Sequence, residues 1–194
     1  AEDGIRDKLV TGVQTVCSSD LGRQSVGYAA NLNSRAKLNQ LIGNYNEAEK
    51  DFELSARFVE KKFGSVSLQY AILLNNQAML DLVMGRNEQS IQQMNRSAQV
   101  AEKVFDEPFK GKNSFENRIF LSNLAWVYLA VGRTAEADKT YQRIKSIYES
   151  REQKSNPEYA ALLEQMAFLN MQAGKNQAAE NLLDRKSTRL NSSH

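Results

Sequence analysis

The sequence predicts an all-α fold, a right-handed α-α superhelix (solenoid) of antiparallel helix hairpins, and three observations carry that expectation. The pattern Leu-x3-Ala-x6-Gly occurs four times, at Leu32/Ala36/Gly43, Leu74/Ala78/Gly85, Leu121/Ala125/Gly132 and Leu163/Ala167/Gly174, with glycines 42, 47 and 42 residues apart. Five residues after each Gly stands a small side chain (Ala48, Ser90, Ala137, Ala179), and four beyond it a large one (Phe52, Met94, Tyr141, Leu183). Breakers fall between these units and not inside them: Gly64, the polar stretch Asp106 to Asn113 with Pro108 and Gly111, and the run Arg151 to Ser155.

Each element follows from that register. Leu and Ala four apart share one helical face, which makes the stretch before each Gly a first helix. Gly just past the last apolar residue supplies the left-handed backbone that ends a helix, and a second helix begins within two residues. Small residues on both sides of the turn let the two helices approach, while the Leu and the large residue fill the space beside them. Asn156-Pro157 reads as an N-cap followed by Pro at the first helical position. The predicted helices lie at about 24 to 42, 45 to 62, 66 to 84, 87 to 105, 114 to 131, 134 to 151, 157 to 173 and 176 to 183. The polar stretch from Asp106 absorbs the five extra residues of the 47-residue spacing.

The two ends of the chain read differently. Residues 1–21, AEDGIRDKLVTGVQTVCSSDL, and residues 184–194, DRKSTRLNSSH, resemble the conceptual translation of short-read sequencing adapter DNA along their whole length. That resemblance implies that both segments are not native and are set aside before fold reasoning. It also implies that 22–183 is a window onto a longer array, its last hairpin cut short. With the flanks go five basic and five acidic residues, so the balance stays at the +2 of the whole chain. Cys17 and His194, the only Cys and His, go too, leaving 22–183 with no thiol or imidazole for catalysis or metal binding.

Residues 29 to 183 resemble the tetratricopeptide repeat (TPR) family, whose signature places small residues at repeat positions 8 and 20 and aromatics at 11, 17 and 24. Tyr45, Tyr128, Phe52 and Tyr141 fall on those aromatic positions. Repeats counted this way run about 29–62, 71–105, 118–151 and 160–183. The spacing resembles the longer-period variant of kinesin light chains, as do Leu74-Asn75-Asn76-Gln77-Ala78 and Leu121-Ser122-Asn123-Leu124-Ala125. Repeat two departs from the signature at Asp81, Asn87 and Met94, which puts its packing in question.

The resemblance implies that positions 5, 6 and 9 of each first helix face the concave groove. The candidate peptide-binding residues are Asn33 and Lys37 in repeat one, Asn75, Asn76 and Met79 in repeat two, Ser122, Asn123 and Trp126 in repeat three, and Gln165 and Phe168 in repeat four. An amide at position 6 offers a donor and an acceptor to the backbone of an extended peptide, or it bonds a neighbouring helix instead. Trp126, Met79 and Phe168 provide apolar pockets or pack between repeats.

No catalytic grouping is present. There is no phosphate-binding Gly-x4-Gly-Lys, no His-Glu-x2-His, no calcium loop and no apolar run long enough for a membrane. The near-neutral charge and absence of a basic stripe argue against nucleic acid. Asn95-Arg96-Ser97 fits a glycosylation sequon but falls in mid-helix. The expected function is therefore a non-enzymatic protein-protein interaction module, needing no cofactor or metal, that binds an extended peptide or partner helix in its groove. The alternative is a regulatory or scaffolding arm of a larger bacterial-type enzyme, kinase or transcription regulator.

Overall fold

A computed structural model describes residues 26–105, 117–150 and 156–191, without the side chains of Val26 and of 186–191. The first adapter-like segment, the stretch from Asp106 to Asn113 and the run Arg151 to Ser155 lie outside the described residues. Eight helices form four consecutive hairpins: α1 (Val26–Leu41) with α2 (Tyr45–Phe63), α3 (Leu68–Val83) with α4 (Asn87–Phe105), α5 (Arg118–Ala130) with α6 (Thr134–Ser150), and α7 (Pro157–Gln172) with α8 (Asn176–Asn191). No strand occurs among the described residues.

The four turns are copies of one another. Gly43, Gly85, Gly132 and Gly174 all have φ between 71° and 85°, a left-handed conformation that costs Gly nothing sterically. The next backbone N–H reaches back five residues in every case: Asn44 to Asn39, Arg86 to Asp81, Arg133 to Tyr128 and Lys175 to Asn170, each at 2.8 Å. That bond satisfies a carbonyl that the helix end would leave unpaired. Two first helices also start on side-chain caps. Ser67 Oγ accepts from Tyr70 N at 3.3 Å, and Asn156 Oδ1 accepts from Glu158 N at 2.8 Å with Pro157 behind it.

Packing within a hairpin follows the small residues. Ala36, Ala48, Ala78, Ser90, Ala125, Ala137, Ala167 and Ala179 are all buried, and Ser90 Oγ donates to the Ala78 carbonyl at 2.7 Å across the crossing. Phe52, Met94 and Tyr141 fill the space beyond. Burying a side chain of this kind stabilises by roughly 1.5–3 kcal/mol. Met94 is fully buried like Phe52, so repeat two packs with the same tightness despite its departure from the aromatic pattern. Asp81, the second departure, is buried and turned to Arg86 at 3.3 Å.

Hairpins stack through a second stripe on the first helix. Leu73 and Leu80 in α3, Phe120, Leu124 and Val127 in α5, and Leu162, Met166 and Leu169 in α7 are buried where each first helix meets the second helix before it. The same positions in α1 are Asn31, Arg35 and Leu38, all exposed, and Arg35 instead grips Asp51 of α2 through Nε at 2.7 Å and Nη2 at 2.6 Å. At the other end Leu183 is 40% exposed, while its counterparts Phe52, Met94 and Tyr141 are at 3% or less.

One boundary needs correcting. The last helix does not stop at Leu183; α8 continues to Asn191. Nothing in Asp184 to Asn191 breaks it: the stretch holds neither Pro nor Gly, and Arg185, Lys186, Arg189 and Leu190 are good helix formers.

Candidate functional site

Successive first helices touch one another, α1 with α3 and α3 with α5, whereas each second helix packs on first helices. The side on which successive elements lie closer is the inside of the curve, so α1, α3 and α5 line the concave face, and α7 follows them as the next first helix in the stack. Along it runs a repeated inter-hairpin bond from position 6 of one repeat to position 5 of the repeat before. Asn76 Nδ2 donates to Asn33 Oδ1 at 2.8 Å, and Asn123 Nδ2 donates to Asn75 Oδ1 at 2.7 Å. A longer contact of 3.5 Å from Asn75 Nδ2 to Asn76 Oδ1 links the two stitches. Each carboxamide is half-buried, so these amides hold neighbouring hairpins together.

By the same register Gln165 of α7 would donate to position 5 of α5, which is Ser122. No such bond exists; both side chains are exposed, and neither makes a hydrogen bond among the described residues. At this seam a cavity of about 370 Å³ opens between α5 and α7 and reaches down to α6. Its walls include Ile119, Ser122, Asn123 and Trp126 of α5, Tyr141, Ile144 and Tyr148 of α6, and Leu162 and Gln165 of α7. The matching place at the first seam, around Asn33, Ser55 and Ile72, holds only about 140 Å³.

Two further departures explain the opening. In the first two hairpins a Ser on the second helix donates to the carbonyl of the Ala at repeat position 1, Ser55 to Ala29 at 2.8 Å and Ser97 to Ala71 at 2.6 Å, both buried. The third hairpin has Ile144 in place of that Ser and Arg118 in place of that Ala. Ile144 has no hydroxyl to donate to the Arg118 carbonyl, so this end of α5 lacks the tie that holds the other two pairs.

Arg118 closes one end of the cavity. Its Nε and Nη2 donate to Glu158 Oε2 at 2.9 and 2.6 Å, its Nε lies 3.0 Å from the Tyr148 hydroxyl, and that hydroxyl donates to the same Glu158 oxygen at 2.8 Å. The Tyr148 ring faces the guanidinium at 5.9 Å and leans on Tyr159 at 5.4 Å. Hydrogen bonds from Arg118 and then Tyr148 hold the Glu158 carboxyl below its ordinary range, and burial pushes the Tyr148 phenol up. The two charges that line the cavity therefore neutralise each other.

Four of the ten candidate residues, Ser122, Asn123, Trp126 and Gln165, meet at this cavity. Asn33, Asn75 and Asn76 join Asn123 in the stitches. Met79 is half-buried against the core, while Lys37 and Phe168 stand exposed outside the cavity walls. Arg118, Tyr148, Glu158 and Ile144 were not on the candidate list. Aligning the repeats at position 1 (Ala29, Ala71, Arg118) and at the Ser55 position (Ser55, Ser97, Ile144) is the signal that marks them. The sequon at Asn95 is occupied internally: Asn95 Nδ2 lies 3.0 Å from the Tyr128 hydroxyl, and Ser97 is buried. Among the described residues no His, Cys, Asp and Glu group is placed to hold a metal, and no helix is long and apolar enough to cross a membrane.

Neither a protein-family model nor the sequence of a characterised protein matches the chain. Solved structures do. The chain is similar to a kinesin light chain with nearly identical TPR-like repeats from Podosopora anserina, at 17% identity and a TM-score of 0.73, over 96% of this chain and 86% of that one. The chain has the TPR-like repeat fold. BtubC (BKLC) from P. vanneervenii matches with a TM-score of 0.70 at 17% identity, over 86% of this chain; the chain spans 64% of that protein's length. MamA matches with a TM-score of 0.59 at 14% identity, over 99% of this chain and 92% of its own.

Proposed function

We propose that residues 22–183 are the working unit of a protein-interaction module that binds an extended peptide or a partner helix along the concave face. The single observation that carries this reading is the cavity at the third seam, where exposed Trp126 and Gln165 line a space of about 370 Å³ against about 140 Å³ at the first seam. Its volume falls in the range of ligand subsites, roughly 300–1,000 Å³. Lys37, Asn33, Asn75, Asn76, Met79 and Phe168 extend the same face beyond it, and Ser122 and Asn123 line its wall on α5. The flanks 1–21 and 184–194 take no part.

Selection from a displayed random-peptide library tests the reading. Enriched peptides should bind the chain in fluorescence polarisation and lose at least tenfold in affinity with Trp126→Ala or Gln165→Ala. Lys139→Ala, on an exposed face of α6, should leave binding unchanged. Asn76→Ala and Asn123→Ala are poorer probes, since each breaks a stitch and would confuse binding with stability. Peptides indifferent to Trp126 and Gln165 would sink the proposal.

A further inference from the structure

We infer that the third seam is the specificity subsite of the groove, and that it takes an uncharged apolar side chain carried on an extended partner segment whose backbone amide completes the missing bond between Ser122 and Gln165. This rests on the groove reading above and adds where, and for what chemistry, the groove selects. The register supplies the first part of the argument. At the first two seams a carboxamide donor meets a carboxamide acceptor. At the third seam the donor side, Gln165, is in place, but position 5 is a hydroxyl one amide shorter. A peptide unit fits that gap chemically: its carbonyl accepts from Gln165 Nε2, and its N–H donates to Ser122 Oγ. The guest thereby does for α5 and α7 what Asn33 and Asn75 do for the seams before.

Charge supplies the second part. Among the described residues Arg118 and Glu158 are the only charged ones on the cavity wall, and they are bonded to each other. A Lys, Arg, Asp or Glu entering from the partner would lose water and find no free counter-charge. Ile119, Ile144 and Leu162 in the wall favour a branched aliphatic or aromatic side chain in its place. Trp126, on the same wall, covers the guest from the side of the groove.

Trp126 is also the chain's only Trp, so its fluorescence reports from this site alone. The probes are N-acetyl-leucine methylamide, which carries the peptide unit and an apolar side chain, and the lysine and glutamate analogues. The leucine probe should shift Trp126 emission with a saturable, about millimolar, dissociation constant, the range open to a fragment of that size. The charged probes should bind at least tenfold more weakly. Ser122→Asn restores the acceptor seen at the other seams; it should weaken the leucine probe at least tenfold while raising the Tm. Gln165→Ala should weaken the probe similarly with helicity unchanged, which keeps the test open if Ser122→Asn folds poorly. Equal binding of charged and neutral probes, no saturable leucine signal, or full affinity in Ser122→Asn would each overturn the inference. Library peptides that depend on Trp126 while the leucine probe fails would leave the groove reading standing and remove only this subsite.

Discussion

The first two hairpins and the third share a register but not a way of closing. In the first two, a buried Ser ties the second helix to the start of the first, and a carboxamide at position 5 receives the next hairpin. In the third, Ile144, Arg118 and Ser122 replace the Ser, the Ala and the Asn, and the ties give way to a cavity. Asn117, just before α5, is buried with neither amide atom hydrogen-bonded among the described residues, whereas the second hairpin leaves one such atom, Gln93 Oε1. Repetition thus specifies the stack, and its interruption makes room for a guest. The same three substitutions that loosen the seam leave the hairpin core beside it intact, since Leu121, Ala125, Ala137 and Tyr141 remain buried.

The comparison breaks first at the core. Met94→Ala removes a fully buried side chain from a closed hairpin and should cost about 2–5 kcal/mol. Ile144→Ala, in the wall of an existing cavity, should fall at or below the lower end of that range. Chemical denaturation of both variants checks the order; an Ile144→Ala cost above that of Met94→Ala would mean that the third hairpin is as tightly closed as the second.

Smaller losses probe the ties. Ser97→Ala removes the buried hydroxyl's bond to the Ala71 carbonyl, which keeps its bond within α3, and should cost about 0.5–1.5 kcal/mol. Asn123→Ala strips Asn75 Oδ1 of its partner and should cost about 1 kcal/mol. Ser122→Ala, at the exposed and unbonded equivalent, should stay within about 0.5 kcal/mol. A Ser122→Ala effect as large as that of Asn123→Ala would show a third stitch after all. The ends differ too. With Leu183 and Met171 uncovered, amides of Gln172 to Leu183 should exchange faster than those of Leu121 to Ala130. Equal protection would place a hidden partner on that end.

How far the fold was readable from sequence follows from the same contrast. Four glycines and eight small residues recur at fixed distances, and a motif repeated in register specifies local structure and stacking together. Helix ends were therefore right to within a few residues except at α8, where no breaker marks a stop. The amide column was legible as a column, yet whether Asn76 and Asn123 face a ligand or a neighbour depends on the offset between hairpins, which no single repeat encodes. The cavity was less legible still. It arises from residues 10 to 40 positions apart, on three different helices, whose side chains meet only after stacking, as Arg118, Tyr148 and Glu158 do.

The smallest effect concerns pH, and it sharpens what Arg118 does at the open seam. Glu158 has its carboxyl held below the ordinary range in the folded chain, by hydrogen bonds from Arg118 first and Tyr148 second. A lowered carboxyl contributes stability that is present above the unfolded-state value and is lost as pH falls through the lowered folded value. Glu158 is 59% exposed, so the contribution is that of a surface pair, under about 1 kcal/mol. Glu158→Gln should lower the Tm slightly at neutral pH and match the parent once both carry an uncharged side chain in acid. Because α7 begins at Pro157 and Glu158 reaches Arg118 on α5, the pair is the one charged clasp across the cavity among the described residues. Its loss should also broaden the Trp126 emission band as α5 and α7 part. Identical melting curves for Glu158→Gln and the parent from neutral pH into acid would show that the clasp is idle and that Ile119, Leu162 and their neighbours alone set the width of the seam.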